Sequence, residues 1–326
     1  MASKSVLREI KTNETVIDSA PKKELPKPYE WNIIWESVFV FLYIHAISFY
    51  GLLHILRMSK WTIMWYFVIY VLSIIGTTAG SHRLWAHRAY KAKWPLRVIL
   101  MIFQTLAYGH HIVQWSQEHR LHHKFTDTDA DPYNARRGFF FSHMGWLVIT
   151  KHPEVTRKMT LLDFSDLKRD FVVAFQEKYY FYLMTVFFIV PVMVPWLMWN
   201  ESLWYSFVGN VTRYCITLHG TWLVNSVAHM WGMKPYDKSI TPVENAIIAF
   251  VTTGEGWHNY HHVFPWDYKA SELGNYSMNI TTAFIDFFAL IGWAYDLKIA
   301  SPDMVKNRIL RNNKDTNDTK NSNCFE

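Results

Sequence analysis

The chain has 326 residues, half of them hydrophobic, with 16 Trp, 18 Tyr and 22 Phe, an aromatic load that fits a membrane protein with interfacial belts. A mean hydropathy of −0.03 excludes a chain wholly embedded in lipid, so much of it must sit in water beside a limited set of spanning helices. The net charge of +6 comes from Lys and Arg scattered beside apolar segments; this suits positive-inside placement and an anionic substrate, and no nucleic-acid partner is expected.

In chain order, residues 1–30 carry Lys4, Arg8, Lys11, Lys22, Lys23 and Lys27 with no apolar core. They read as a cytosolic tail and not as a secretory leader. Crossing a bilayer takes about 20 mostly apolar residues, and four stretches offer them. The first, 32–56, contains Glu36, His45 and His54, and the second, 61–80, is uncharged. A gap of a few residues makes these two a tight hairpin. A long polar region follows to residue 178, with an amphipathic segment at 95–113. The third span, 179–199, holds Pro191 and Pro195, kinks that a membrane helix tolerates. The fourth, 202–231, is patchier, with Arg213, His219, Asn225 and His229.

Residues 298–326, rich in Lys, Asn and Asp, read as a disordered tail. The only cysteines, Cys215 and Cys324, are too few for a disulfide framework or a thiolate-built metal site. Cys324 stands third from last, so no prenylation box is expected there. A single domain over 31–297 is expected, without internal repeat. If the N-terminus is cytosolic, two hairpins bring 81–178 and 232–326 to one side of the membrane. Both regions carry clustered histidines.

Three clusters hold eight of the 16 histidines: His82-Arg-Leu-Trp-Ala-His87, His119-Arg-Leu-His122-His123 and His258-Asn-Tyr-His261-His262. On a helix, positions i, i+3 and i+4 share a face, so the second and third clusters each present three imidazoles in one direction. Eight imidazoles exceed what one metal takes; two metals with about four or five ligands each fit the count. Imidazole suits iron, copper, nickel and zinc alike, so the ligand type leaves the metal open. His45, His54 and His219 read as interior or interface residues, and His143 and His152 as parts of the cytosolic fold. Asp127, Asp129 and Asp131 lack the Gly and distal Glu of a calcium loop; their expected task is to hydrogen-bond ligand histidines.

At these residues the sequence resembles the membrane acyl-CoA desaturases of the stearoyl-CoA desaturase type, and most nearly those of insects, moth pheromone enzymes included. The runs that carry the resemblance are Thr78-Ala-Gly-Ser-His-Arg-Leu-Trp85, Asp129-Ala-Asp-Pro132, Arg136-Arg-Gly-Phe-Phe-Phe-Ser-His-Met-Gly-Trp146, Asn225-Ser-Val-Ala-His-Met-Trp-Gly232 and Gly254-Glu-Gly-Trp-His-Asn-Tyr-His-His262. It extends from about residue 30 to 297. It implies an all-α integral membrane fold, four spans with a helical cytosolic cap, in the endoplasmic reticulum with both termini cytosolic. It also implies two ferrous ions on His82, His87, His119, His122, His123, His258, His261, His262 and a ninth ligand, His229. Asn225 joins through water, and its i, i+4 spacing puts it on the helix face of His229.

The implied reaction inserts a double bond into a saturated or monounsaturated acyl chain with O₂. An unactivated methylene offers no handle to an acid or base, so an oxidant built from O₂ and reduced iron is required. The chain has no dinucleotide fingerprint and no fused haem module, so electrons must arrive from a separate donor, in this family cytochrome b5 with its NADH-dependent reductase. Family contacts to the fatty acyl-CoA substrate fall on Asn32, Lys151 and Trp222. Three others depart from the family pattern: His110 replaces an Asn, Gln117-Glu118 an Arg-Asp pair, and Thr150 an Arg. Tyr70 and Ile74 match residues that close the acyl tunnel, and the branched Ile74 implies palmitoyl-length or shorter chains. The same metal site serves hydroxylases, acetylenases and conjugases. Outside enzymes, a histidine-rich membrane metal transporter is the competing class, though it would carry its ionisable groups near the midplane of the spans.

Overall fold

The computed structural model describes residues 29–322 apart from residue 273. All but the last two residues of the expected N-terminal tail lie outside the described residues. Helix α1 (Trp35–Leu53) and α2 (Lys60–Ile75) are joined by a short turn as expected, but each packs on α9 and not on the other. The α2 axis continues through a π-helical run, Gly76–Ala86, so the second apolar stretch and the first histidine cluster belong to one rod. Next come the short strand β1 (Lys91–Ala92), α3 (Trp94–Thr105), α4 (Ile112–Phe125), α5 (Phe139–His143), α6 (Pro153–Met159) and α7 (Ser165–Arg169). The second hairpin is α8 (Phe171–Trp199) and α9 (Leu203–Met230). The chain then forms α10 (Ala246–Val251), α11 (His258–Val263), α12 (Ile280–Leu290), β2 (Ala294–Tyr295, antiparallel to β1) and α13 (Pro302–Ser322).

Trp35–Leu53, Lys60–Ala86 and Phe171–Trp199 are long and apolar enough to cross a membrane. Helix α9 is as long but less apolar, and its position explains why. It packs against α1, α2 and α8, so its polar groups meet protein. Buried Arg213 donates to the Leu106 carbonyl at 2.6 Å and to Asn210 Oδ1 at 2.8 Å. Its two Nη groups thus find internal acceptors, the condition under which such residues persist in apolar surroundings.

The two prolines of α8 are compensated in the same way. Pro191 and Pro195 each lack the N–H that would bond the carbonyl four residues earlier. The Phe187 carbonyl instead accepts from Tyr108 Oη at 2.5 Å, and the Pro191 carbonyl from Trp65 Nε1 at 3.0 Å and Tyr66 Oη at 3.2 Å. At the end of the bundle away from the histidines, Glu201 ties the two hairpin turns together. Its Oε2 accepts from Ser59 N and Thr62 Oγ1, both at 2.7 Å.

The cap packs on the π-helical end of α2. Leu96, Leu100, Ile112, Val173 and Ile285 are fully enclosed there. A Cβ on Gly76 would stand 2.2 Å from the Gln104 backbone nitrogen, so only glycine lets α3 cross this close. The disordered tail expected over 298–326 is corrected over 302–322, where α13 is a helix whose Val305 and Ile309 pack with Tyr236, Tyr260 and Phe264; residues 323–326 lie outside the described residues. Asn312 on the same face donates to the Lys234 carbonyl at 3.1 Å and the Pro235 carbonyl at 2.9 Å. The polar composition hid a one-sided stripe of the kind that docks a surface helix.

Candidate metal centre

The first cluster owes its geometry to the π-helical turn. His82 and His87 are five residues apart, and the His87 N–H bonds the His82 carbonyl at 3.0 Å, the i→i+5 bond of a π-turn. Their rings lie 4.8 Å apart. An α-helix would have rotated the fifth residue away. His119, His122 and His123 project from α4, His229 from the last turn of α9, and His258, His261 and His262 from α11.

These nine rings form two groups: His82, His87, His119, His123 and His261, and His122, His229, His258 and His262, with the nitrogens of each group within 4.8 Å of one another. The adjacent pairs are therefore split. Helix α4 gives an i, i+4 pair, His119 and His123, to the first group and His122 to the second. Helix α11 does the reverse, giving His261 to the first and the i, i+4 pair His258 and His262 to the second. The expectation that each triad faces one way is thus refined: one face, two destinations. The groups adjoin, with the rings of His123 and His262 stacked at 4.1 Å.

Within the groups, Nε2 atoms meet Nε2 atoms: His82 and His261 at 2.9 Å, His87 and His119 at 2.8 Å, His261 and His123 at 3.0 Å, His258 and His229 at 3.1 Å, and His262 and His258 at 3.1 Å. Carboxylates hold the far side of three rings. Asp131 accepts from His122 Nδ1 at 2.8 Å and Asp127 from His229 Nδ1 at 3.3 Å, and Glu255 Oε2 stands 2.9 Å from His82 Nδ1 as its ion-pair partner. A carboxylate on Nδ1–H leaves Nε2 as a bare lone pair, the tautomer a metal ligand needs. Burial lowers the pKa of His87, His119, His123, His258, His261 and His262 well below the usual imidazole value, and neighbouring rings lower it further. The rings are neutral, ready to ligate. The arrangement therefore suits two cations with imidazole shells.

Asp127 and Asp131 take the role expected of them, while Asp129 is exposed. Glu255 and Arg83 were not singled out from the sequence, although both lie inside quoted runs. Burial alone would raise the Glu255 carboxyl, but Arg83 and His82 outweigh it and bring the pKa to about 2. Asp127 is likewise held below the ordinary carboxylate range: His229 and Thr241 overcome the burial that opposes ionisation.

A cavity of about 220 Å³ runs from the cap into the helical bundle, lined by His82 and His119 of the first group and His122 and His258 of the second. Ile74, Leu218, Trp222 and Asn225 line it further along. Tyr70 is not among the lining residues; its hydroxyl donates to the Val251 carbonyl at 2.7 Å. Asn32 and Lys151 also lie off the cavity. Asn32 pairs by its backbone with Thr150 (Thr150 N to the Asn32 carbonyl, 2.9 Å), and Lys151 forms an ion pair with Glu118.

Nearby, buried Glu244 accepts from the Tyr260 N–H at 2.7 Å, yet its burial outweighs this bond and raises its pKa from 4.5 to about 7. A folded value above the unfolded one means that stability is fully present below pH 4.5 and is lost as pH rises through 7. The loss amounts to about 3 kcal/mol. Glu244→Gln keeps an acceptor for Tyr260 and is expected to flatten this part of the profile. The check is the melting temperature of both proteins in detergent from pH 4.5 to 8; parallel curves would count against it.

The fatty acid desaturase family pattern matches residues 59–274. The chain is 54% identical over 298 residues to an acyl-CoA Delta-9 desaturase of Acheta domesticus, covering 90% of this chain and 83% of the relative. It is 48% identical over 309 residues to an acyl-CoA Delta(11) desaturase of Trichoplusia ni, covering 94% and 87%. To stearoyl-CoA desaturase 5 of Bos taurus it is 49% identical over 282 residues, covering 86% and 84%. With the histidine groups, the apolar helices and these relatives together, the chain belongs to the fatty acid desaturase family, a family of membrane oxidoreductases.

Proposed function

We propose that this enzyme desaturates a saturated or monounsaturated fatty acyl-CoA of about palmitoyl length at an iron pair held by the two histidine groups. The observation that carries the reading is the cavity that meets both groups and continues between apolar helices. His82, His87, His119, His123 and His261 would hold one iron. His122, His229, His258 and His262 would hold the other, with Asn225 contributing through water. When bound, the iron pair supplies the oxidising power from O₂ that removes hydrogens from unactivated methylenes. The protein's residues do the rest: Glu255, Asp131 and Asp127 fix ring orientation, and Ile74, Leu218 and Trp222 offer an apolar wall that excludes water from a chain lying along them.

A cytosolic cap, an endoplasmic-reticulum location and a fourth span at α9 belong to the same proposal, as does electron supply by cytochrome b5 and its reductase. Both hairpin turns meet at Glu201, which supports placing the termini and the cap together on the opposite side. Asn279 cannot report this topology by glycosylation, because its buried amide bonds the Lys269 carbonyl at 2.7 Å. A sequon-bearing loop inserted between residues 57 and 60 is expected to be glycosylated, and one appended to either terminus is not; the reverse pattern would overturn the arrangement.

At the head-group end, Lys151 is engaged by Glu118, so the CoA phosphates must compete with that carboxylate or find another cation. The relatives' names differ in double-bond position, Delta-9 against Delta(11). Expression in desaturase-deficient yeast, with mass-spectrometric location of new double bonds, tests the proposal. No new unsaturated product from well-expressed protein would sink it, and hydroxylated or acetylenic product would redirect it to the related chemistries.

Chain length follows from the wall. Ile74 is 2% exposed and touches the cavity, whereas Tyr70 is set back from it. Ile74→Ala would lengthen the space at that point, at some cost in stability. The ratio of stearoyl-derived to palmitoyl-derived product is expected to rise in the same yeast. An unchanged ratio at equal protein abundance would remove Ile74 from the control of length.

A further inference from the structure

A second histidine chain runs where α1, α5 and α9 meet, apart from the nine rings above. His45 Nδ1 lies 2.6 Å from the Phe41 carbonyl. A carbonyl can only accept, so Nδ1 carries the hydrogen and Nε2 of the neutral ring is bare. At the other end, Ser226 Oγ donates its one hydrogen to the Trp222 carbonyl at 2.9 Å. It must therefore accept from His143 Nδ1, 3.0 Å away. His143 Nε2 is then an acceptor, and it receives the Nδ1–H of His219 at 2.9 Å. That leaves His219 Nε2 bare too.

The two bare atoms, His45 Nε2 and His219 Nε2, face each other at 3.1 Å. Lone pairs so placed repel unless something positive lies between them. Cys215, one turn before His219 on α9 and buried, completes the set: its Sγ and the two Nε2 atoms lie within 4.8 Å of one another. The same Nε2-to-Nε2 approach recurs within the groups of five and four histidines. Here a thiol joins it, and the carboxylates are replaced by the Phe41 carbonyl and by His143 as the groups that fix the rings.

We infer that His45, Cys215 and His219 form a third metal site, for a single borderline-soft d¹⁰ cation of the zinc type. Two imidazoles and one thiolate are a ligand set zinc accepts, with the fourth position open to water. Binding releases the Cys215 proton, because the thiolate is the ligand. His143 holds His219 from behind, the orienting task that ligand histidines commonly require. The site would pin α1 to α9. It does not depend on the identity of the metals in the nine-histidine groups.

The test uses full-length protein in detergent, loaded with iron and carrying Cys324→Ser so that Cys215 is the only thiol. Titration with Co²⁺ is expected to produce sulfur-to-cobalt charge-transfer absorption, saturating at one equivalent and displaced by Zn²⁺. The nine-histidine groups contain no sulfur and cannot give this signal. Cys215→Ser should abolish it. His143→Ala should keep it while weakening Co²⁺ binding roughly 10–100-fold. If Cys215→Ser fails to fold, His45→Gln serves instead, and should weaken binding and shift the visible cobalt bands. No charge-transfer band in the starting protein would overturn the site, leaving a proton shared between His45 and His219. A band unchanged by His45→Gln or by Cys215→Ser would overturn it as well.

Discussion

Replacing His262 by alanine is expected to abolish desaturation while leaving the protein in the membrane. His262 pairs with His258 at 3.1 Å between Nε2 atoms and stacks on His123 of the other group, so its loss opens one shell and disturbs the neighbour of the second. Losing a group that merely orients a ligand costs roughly 10–100-fold in metal affinity or activity, and losing the ligand itself should exceed that. Membrane insertion rests on the apolar helices, which the substitution does not touch. His122→Ala makes the same case from α4, since its ring belongs to the group of His262 while its neighbours on that helix belong to the other. The measurements are unsaturated product in yeast and iron content of purified protein. Full activity in either variant, or active protein holding zinc and no iron, would remove the iron reading.

Much of this site was legible because its residues sit close together in sequence. The spacing i, i+3, i+4 announces a shared helix face, and two of the clusters follow it. The i, i+5 spacing of His82 and His87 was equally visible, but it points to a common face only if the helix is known to switch to π-turns. That switch depends on packing, with α3 pressed against Gly76. The division of the nine rings into five and four was out of reach for a related reason. It turns on how α4 and α11 oppose each other, a relation between elements 130 or more residues apart.

The fold shows the same divide. Mostly apolar runs gave α1 and α2 within a few residues; α8 begins at Phe171, eight residues before the expected span, with a backbone break at Tyr179 where that span was expected to start. Helix α9 read as patchy because it is surrounded by protein, where Arg213 and Asn210 find partners. The terminal helix α13 was hidden by its own surface: over residues 302–313 most side chains face water, while Val305 and Ile309 pack and Arg308 and Asn312 bond to the segment around Tyr236. The chain from His45 to Ser226 could not be seen at all: His45 and His219 lie 174 positions apart, and each alone is an ordinary interior histidine.

Arg83 is the residue outside the nine histidines whose loss should cost most. It is 1% exposed, and its fork reaches four groups. Nε and Nη2 donate to Glu255 Oε1 at 3.0 and 2.9 Å, Nη1 to the Tyr268 carbonyl and Thr282 Oγ1, each at 3.0 Å, and Nη2 to Asn279 Oδ1 at 3.2 Å. Those partners come from the turn before α11, from the segment after it and from the start of α12, so one guanidinium ties the cap to the end of α2. Arg83→Met leaves Glu255 ionised, buried and half-partnered, and breaking a buried pair from one side costs about 3–5 kcal/mol. Arg83→Lys should rescue little, since an ammonium is a point charge and cannot reproduce a planar fork. The effect should also reach the metal, because Glu255 orients His82 through Nδ1. Iron retention during dialysis is therefore expected to fall along with the melting temperature. Adding Glu255→Gln to Arg83→Met removes the stranded charge and should recover part of the stability, as coupled residues in contact do. If the two changes instead add independently, or if Arg83→Lys behaves as the unaltered protein, the guanidinium is not the fastening between α2 and the cap.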